Sequence, residues 1–442
     1  MPDVIFRVIK NRGRKLSAYG LFSASPDSFA ALLEDPSGNG RQFLVSKAGS
    51  STSLRQGTDQ QAAESFFHAW KQALAGDIEP SPAIRCLFYA AYEASLLIEH
   101  LPSAKSDVPG PVLWTLIPDY SICFDGDQIH LAARNEHTIR TVLDMLDSHA
   151  GESVAHKTCS ADLSKISGLA SEQYTLAVEA VKSYIAGGDV FQANIARFWS
   201  LPFRSADLQA LYHKLRQVNS APFSSYVQID CDDESQESTL HLISASPERL
   251  FRTFADGEVD TRPIAGTRRR AEGEMDDSLR AELLLSEKER AEHIMLVDLE
   301  RNDLGRVCRP GSVEVNEQMV IEQYATVQHI VSNVRGYLAE GMDVVDLFKA
   351  MFPGGTITGC PKVRCMEIIH ELENSARGPY TGGLGYVSWD GSSDMNILIR
   401  TFWHFEGQLN WAAGAGIVAD SDPQHELIET DHKAEGLLRA LF

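Results

Sequence analysis

The first third of the chain carries short runs rich in apolar residues, as β-strands do. Four of them stand at 4–9 (VIFRVI), 41–48 (RQFLVSKA), 111–118 (PVLWTLIP) and 128–135 (QIHLAARN). A segment with a helical pattern, 61–76 (QAAESFFHAWKQALAG), lies among them. Residues 1–147 are therefore predicted to form an N-terminal region of strands with at least one helix.

A polar segment separates this region from the rest of the chain. Residues 148–170 are rich in small residues and aperiodic, so they are predicted to be a linker. A helix is predicted directly after them, with Ser171 as its cap and with Gly187 and Gly188 at its end. Its apolar stripe comprises Tyr174, Ala177, Val178, Val181 and Ile185.

Residues 171–442 form the second predicted region, in which strands and helices are mixed. Predicted strands stand at 190–203, 224–230, 240–246, 249–254 and 326–338, and predicted helices at 278–307, 361–373 and 424–441. A long hairpin is predicted over 396–419, with its turn at Glu406 and Gly407. Many strands in hairpin-like succession, mixed with helices, predict an α+β fold with antiparallel sheets.

Composition restricts the possible partners. The chain has 442 residues, of which 43% are hydrophobic, and a formal charge of -21. Nucleic acids and anionic membranes are held largely by Lys and Arg, so neither is expected as a partner. The seven cysteines are scattered and have no CxxC or Cys/His spacing that suits zinc. Reduced thiols are expected, and with them a cytoplasmic location.

The loop PGGTITGCPK at 353–362 resembles a phosphate-binding P-loop in the spacing of Gly354 and Gly359. A working P-loop closes with Gly-Lys-Ser or Gly-Lys-Thr, whereas Cys360 and Pro361 follow Gly359 here, so nucleotide binding is not expected. Backbone N–H groups and the following helix start could still bind an anion such as a carboxylate, with hydroxyls from Thr356 and Thr358. A tight turn without a ligand is the alternative.

Two pairs of carboxylates stand three residues apart on predicted helices. The first pair is Glu289 and Glu292, and the second is Glu426 and Glu429. Side chains at this spacing share a helix face, and oxygen ligands of this kind suit Mg²⁺ together with an anionic substrate. Taken alone, either pair is more typical of a solvated helix face than of a metal site in so acidic a chain.

The motifs taken together resemble those of the chorismate-utilising enzymes, among them the component I chains of anthranilate synthase and aminodeoxychorismate synthase. The matching stretches include GDVFQANIARF, SASPERL, TRPIAGTRRR, EHIMLVDLERNDLGRV, FPGGTITGCPKVRCMEII and AGAGIVADSDP, in the family's order. They cover 171–442 densely and the N-terminal region weakly. The resemblance implies two stacked antiparallel β-sheets flanked by helices, with one active site between them.

The resemblance also assigns roles to residues. Glu292 and Glu429 match direct magnesium ligands, and Glu289 and Glu426 match their supporting pair. The matching substrate-binding positions are Tyr380 and Arg400 for the enolpyruvyl carboxylate, Gly414, Ala415, Gly416 and Lys433 for carboxylate binding, and Thr356 and Gly359 near the ring carboxylate. Glu248 matches the general acid that protonates the departing 4-hydroxyl of chorismate, and His329 matches the family's active-site histidine.

Two positions bear on the branch of the family. Gln192 stands where members that add water have a Lys base, so formation of isochorismate or salicylate is not expected. Ala265 in PIAGT stands where many aminodeoxychorismate synthases have a nucleophilic Lys. FPGGTITGCPK, MEII and DMNILIRT nevertheless resemble the aminodeoxychorismate branch, which is the reading favoured here, without a covalent lysine intermediate. Anthranilate synthase component I is the alternative.

The resemblance further implies a separate glutamine amidotransferase subunit that supplies ammonia. The segment LLED, ending at Asp35, resembles a tryptophan-pocket motif LLES with Asp in place of Ser. Feedback inhibition by tryptophan is therefore not expected from the sequence. Binding of tryptophan as a purely structural ligand is the alternative.

Overall fold

The computed structural model describes residues 4–12, 15–99, 101, 108–149, 161–233, 236–270, 273–323 and 327–442. Within them the chain forms two large sheets in which every strand pair is antiparallel. The predicted α+β fold is therefore confirmed. About half of the predicted linker, residues 150–160, lies outside the described residues.

The first sheet contains twelve strands of the described chain. In spatial order they are β1 (Ile5–Lys10), β8 (Gln128–Ala133), β7 (Tyr120–Asp125), β3 (Gln42–Ser46), β2 (Phe29–Glu34), β11 (Phe223–Asp233), β12 (Gln236–Ser246), β21 (Thr401–Phe405), β22 (Gln408–Ile417), β10 (Gln192–Pro202) and β18 (Gly359–Cys360), with β9 (Ser167–Gly168) on β10.

The second sheet contains ten strands of the described chain. In spatial order they are β15 (Ile264–Arg269), β17 (Val327–Tyr337), β14 (Glu258–Thr261), β13 (Arg249–Thr253), β20 (Ser393–Ile397), β19 (Gly383–Ser388), β5 (Ile84–Ala90), β6 (Leu113–Pro118) and β4 (Gly49–Leu54), with β16 (Glu314–Gln323) on β17.

Helices cover the outer faces of the sheets. They are α1 (Ala18–Ala24), α2 (Gln60–Leu74), α3 (Ala94–Ile98), α4 (Glu136–Ser148), α5 (Ser171–Gly187), α6 (Leu208–Val218), α7 (Glu274–Leu285), α8 (Glu287–Gly305), α9 (Val344–Met351), α10 (Lys362–Leu372) and α11 (Pro423–Leu438). Between the sheets lies an apolar core to which both contribute, for example Val45 and Val227 from the first and Leu87 and Leu384 from the second.

The N-terminal region is interwoven with the rest of the chain. Its strands occupy one side of the first sheet, where β2 pairs with β11, and one side of the second, where β5 pairs with β19. Residues 1–147 therefore do not form a sheet of their own. The predicted linker is partly regular, because α4 runs to Ser148 and β9 pairs with β10.

Two local predictions need correction. Ser171 is the first residue of α5 rather than its cap, and the preceding residue, Ala170, makes no side-chain capping bond. The predicted hairpin arm before Glu406 is not one strand, because β20 belongs to the second sheet and β21 to the first. The chain crosses between the sheets at Arg400, whose backbone φ of 50° lies in the left-handed region.

A buried ion pair joins the elements at the β10–β18 end of the first sheet. The Arg377 guanidinium, 1% exposed, donates to both carboxylate oxygens of Glu373 at 2.7 and 2.9 Å. It also donates to the backbone carbonyls of Asn194 in β10 and of Ile357 in the loop before β18. Glu373 in turn accepts the Ala196 N–H at 2.9 Å. These bonds fix the loop, the end of α10 and β10 relative to one another.

Replacing Arg377 with Met would leave the Glu373 carboxylate buried without its counter-charge. Because removal of one partner of a buried ion pair costs about 3–5 kcal/mol, we expect Arg377→Met to lower the free energy of unfolding by that amount in urea. Arg301→Met is the control, since the Arg301–Asp298 pair is exposed and such pairs contribute about 0–1 kcal/mol. Equal losses in both variants would contradict the assigned role.

Candidate active site

The candidate pocket is centred on small residues of β22, beside β10, where polar side chains come close to the strand. A Cβ on Gly414 would lie 2.6 Å from Asn194 Oδ1 and 2.8 Å from the Tyr380 hydroxyl, and one on Gly416 would lie 2.1 Å from Gln192 Nε2. Glycine is therefore required for these polar groups to approach the strand. The side chain of the intervening Ala415 is buried in the cluster that includes Ile195 and α5, so only its backbone can face a ligand here.

Gln192 connects this strand pair to α8. Its Nε2 donates to Glu292 Oε1 at 3.0 Å, which fixes the orientation of the amide. Its Oε1 is buried and has no hydrogen-bond partner among the described residues. An amide is neutral at all ordinary pH values, so this side chain cannot serve as the base that would activate a water molecule.

The loop 353–360 is held on β10 and presents one hydroxyl to the site. Gly359 has φ 127°, and a Cβ there would lie 2.1 Å from the Gln192 carbonyl oxygen. The Thr356 hydroxyl donates to Glu248 Oε1 at 2.7 Å. The Thr358 hydroxyl was expected to be able to bind an anion. It is instead buried and donates to the Gly354 carbonyl within the loop.

Glu248 is a buried acid with cations near it. Burial raises its pKa to about 7, although the Thr356 hydrogen bond and the positive charges of Lys433 and Arg400 lower it. A carboxyl with this pKa holds its proton over a substantial fraction of time at neutral pH. Glu248 therefore has the property that a general acid needs at this pH.

Lys433 and Arg400 bring positive charge to the same pocket. Lys433 Nζ donates to the Gly414 carbonyl at 3.0 Å and pairs with Glu429 at 2.7 Å. Burial lowers the pKa of the Arg400 guanidinium, while the nearby Glu248 raises it. Two cations beside an open strand surface suit a substrate that carries carboxylates.

His329 and Ala265 lie on the second sheet, opposite this strand pair. The His329 ring is within hydrogen-bond reach of the Gly266 backbone, and burial and the charge of Arg400 lower its pKa, so the neutral ring is favoured. Ala265 is buried one residue before a bulge at Gly266, where a Cβ would lie 2.9 Å from Glu289 Oε2. Ala265 has no group that could attack a substrate.

The four predicted metal ligands stand at the starts of two helices. Glu289 and Glu292 lie in the first turns of α8, and Glu426 and Glu429 in the first turns of α11. No three His, Cys, Asp or Glu side chains of the described residues are grouped to hold a metal ion. Because Mg²⁺ takes only one or two protein carboxylates besides water and substrate oxygens, the donor chemistry of Glu292 and Glu429 fits it without such a group.

A cavity of about 1270 Å³ adjoins the pocket and opens toward solvent. Gln192 and Glu292 form part of its wall, together with Phe191, Asp303 and Lys362. The last two residues, and Glu300 beside them, were not predicted as functional. All three residues stand within the motifs EHIMLVDLERNDLGRV and FPGGTITGCPK, and this position was the one sequence signal that could have indicated a function. Their burial behind the loop was not visible in the sequence.

Comparison with known proteins agrees with the geometry. A family model described as chorismate binding enzyme matches residues 29–439. An anthranilate synthase component I-like protein of Synechocystis sp. is 43% identical over 80% of this chain and 72% of its own length. Aminodeoxychorismate synthase component 1 of Bacillus subtilis is 49% identical over 61% of this chain, which aligns with only 55% of that protein.

The solved structures are similar over nearly the whole chain. Anthranilate synthase component I from Streptococcus pneumoniae superposes with a TM-score of 0.76 at 28% identity, covering 90% of this chain and 92% of that one. The isochorismate synthase MenF of Escherichia coli, at 19% identity and a TM-score of 0.75, shows the same fold. The chain therefore belongs to the chorismate-binding enzyme family and acts on chorismate. No helix of the described residues is long and apolar enough to cross a membrane.

Gly414 tests whether the open strand surface binds substrate. We expect Gly414→Ala to raise the KM for chorismate at least about 10-fold, equivalent to about 1.4 kcal/mol, because the new methyl group would crowd Asn194 Oδ1 and the Tyr380 hydroxyl. Gly305→Ala is the matched control, since a Cβ on Gly305 meets nothing within 4 Å. Steady-state kinetics of both variants would decide, and an unchanged KM for Gly414→Ala would contradict the assignment.

Proposed function

We propose that this chain is an aminodeoxychorismate synthase component I, which transfers nitrogen from ammonia to chorismate. The observation that carries the amination is Gln192, which places a neutral amide against Glu292 where water-adding members of the family have a lysine. Ammonia is already a nucleophile and needs no base to activate it, whereas water does. The site therefore favours ammonia over water as the reacting molecule.

Glu248 supplies the acid chemistry of this reaction. Ammonia forms a bond to carbon 2 while the ring double bonds shift and the C–O bond at carbon 4 breaks with its electron pair on oxygen, and the Glu248 proton turns the departing hydroxyl into water. A second ammonia then forms a bond to carbon 4 as the amine on carbon 2 leaves. The hydrogen bond from Thr356 holds Oε1 of Glu248, which leaves the other oxygen to carry the proton. Lys433, Arg400, Tyr380 and the strand at Gly414 would orient the two carboxylates of chorismate.

The metal in this proposal is Mg²⁺, held by Glu292 and Glu429 with Glu289 and Glu426 behind them. When bound, Mg²⁺ supplies Lewis-acid polarisation of the ring carboxylate. The Gln192 amide donates to Glu292, and the Lys433 ammonium group pairs with Glu429. Both are side chains that a cation could displace without breaking a strand or a helix.

Nitrogen would reach the site from a glutamine amidotransferase subunit. The curated relatives carry the names component I or component 1, which supports a second component for this chain as well. The cavity beside Gln192 and Glu292 offers ammonia a route from the surface to the pocket. Free ammonium salts should substitute for the subunit in vitro.

Two features point to different products. The motifs FPGGTITGCPK, MEII and DMNILIRT support aminodeoxychorismate, and Ala265 then requires a reaction without a lysine adduct. Ala265 also favours the second candidate, anthranilate synthase component I, in which ammonia attacks carbon 2 directly and pyruvate leaves. Relatives of both kinds match this chain, so the product is the quantity to measure.

The product assay uses purified chain with chorismate, Mg²⁺ and ammonium at mildly alkaline pH, followed by chromatography with fluorescence detection. We expect a 4-aminobenzoate peak only after addition of an aminodeoxychorismate lyase, because the amino group replaces the 4-hydroxyl and the enolpyruvyl group stays. Fluorescent anthranilate without the lyase would instead assign the chain to the second candidate. Untouched chorismate would refute both.

The magnesium proposal predicts a specific pair of defects. We expect Glu292→Gln and Glu429→Gln each to raise the Mg²⁺ concentration for half-maximal activity at least about 10-fold, because a carboxamide is a weaker ligand for a hard cation than a carboxylate. Glu435→Gln is the control on the same helix as Glu429, since Glu435 pairs with Arg439 near the end of α11. Magnesium titrations that coincide for all three variants would reject the assigned ligands.

A further inference from the structure

Three buried ionisable side chains lie behind the loop that carries Thr356. They are Glu300 and Asp303 of α8, 4% and 3% exposed, and Lys362 at the start of α10, 8% exposed. Lys362 Nζ donates to Asp303 Oδ2 at 2.5 Å and to the Met351 carbonyl at 3.0 Å. None of the three has a role in the proposed function above, although burial of so many ionisable groups is costly.

Glu300 is linked to Glu248 through two consecutive residues of the loop. The Gly355 N–H donates to the Glu300 carboxylate, and the hydroxyl of the next residue, Thr356, donates to Glu248 Oε1 at 2.7 Å. A Cβ on Gly355 would lie 2.4 Å from Leu299 Cδ2, so the loop packs directly on α8 at this point. The Glu248 carboxyl is close enough for its charge to act on Glu300.

Glu300 is suited to hold a proton. Burial, and then the negative charge of Asp303, raise its pKa; Lys362 lowers it and Glu248 raises it further. The Thr261 hydroxyl lies 3.5 Å from Glu300 Oε2, where α8 packs against the second sheet. At neutral pH the protonated form of Glu300 is therefore favoured, and this form can donate to a neighbouring carboxylate.

Asp303 and Lys362, the members of this cluster farthest from Glu248, reach a wall that is open to solvent. Asp303 follows Glu300 by three residues, so the two side chains share one face of α8. Asp303 and Lys362 both form part of the wall of the 1270 Å³ cavity, as do the charged residues Glu99 and Arg306 that face Asp303. Ionisable groups thus extend from the buried Glu248 to an open, water-accessible wall.

We propose that Glu300 and the Asp303–Lys362 pair form a proton path that reprotonates Glu248 from the cavity after each turnover. This inference rests on the proposed role of Glu248. When the 4-hydroxyl leaves as water, Glu248 becomes a carboxylate; it regains a proton from Glu300, with the Thr356 hydroxyl or one water between them. Glu300 then takes a proton that enters from solvent through Asp303 and Lys362. The proton consumed is balanced by the one that the bound ammonia nitrogen releases.

Glu300→Gln tests this path, because the carboxamide keeps the acceptor for the Gly355 N–H and cannot carry the proton. We expect kcat to fall about 100-fold, at the lower end of the range of general acid–base effects, with the chorismate KM within about twofold of the wild-type value. The solvent deuterium isotope effect on kcat should rise, since proton delivery becomes limiting. Glu300→Asp should recover much of kcat and return the isotope effect toward the wild-type value.

Two controls separate this proposal from the one on which it rests. Glu34→Gln changes a buried carboxylate that Tyr212 and Arg216 hold on the first sheet, and it should leave the isotope effect unchanged. Glu248→Gln should remove most of the turnover; if it does not, the proposed role of Glu248 fails before the path is tested.

The path itself is refuted if Glu248→Gln is inactive while Glu300→Gln retains the wild-type kcat and isotope effect. A lower kcat with an unchanged isotope effect and no recovery by Glu300→Asp would equally refute it, since this outcome marks a structural role. Should Glu300→Gln fold poorly, Asp303→Asn provides the same measurement one step nearer the cavity, with the same rise in isotope effect expected.

Discussion

The buried Arg377–Glu373 pair is the interaction on which the candidate site depends. The segments that this pair joins carry, one to three residues away from the bonds, the groups that meet in the candidate pocket. Gln192 lies two positions before Asn194 on β10, Thr356 directly precedes Ile357, and Tyr380 follows three residues after Arg377. One guanidinium with bonds in several directions thus sets the relative positions of side chains from separate parts of the sequence.

A second constraint is the balance of charge inside the pocket. Each carboxylate with a described contact faces a different kind of donor: Glu292 an amide, Glu429 an ammonium group and Glu248 a hydroxyl. Burial raises the pKa of Glu248 to about 7, and the Thr356 hydroxyl and the charges of Lys433 and Arg400 lower it only in part. Glu248 can therefore hold a proton at neutral pH although two cations lie near it, which is the property that a general acid needs.

Much of the fold could be predicted from local pattern, and the arrangement of its strands could not. The turn at Glu406 and Gly407 was predicted correctly because the turn residues and the flanking apolar runs are local signals. The crossing at Arg400 was missed because β20 and β21 are both buried and their apolar runs look continuous. Which sheet a buried strand joins depends on partners far away in sequence, such as β13 for β20 and β12 for β21.

The residues of the candidate site show the same division. Glycines 414 and 416 and the two carboxylate pairs could be named because the motifs that contain them resemble those of the family, and their spacing places each set on one strand or one helix face. Glu300 could not, since its significance arises only where α8 packs under Gly355 and brings a buried acid behind Thr356. Side chains proposed to touch the substrate are thus visible in a motif, whereas those proposed to deliver a proton to the site become visible only through packing.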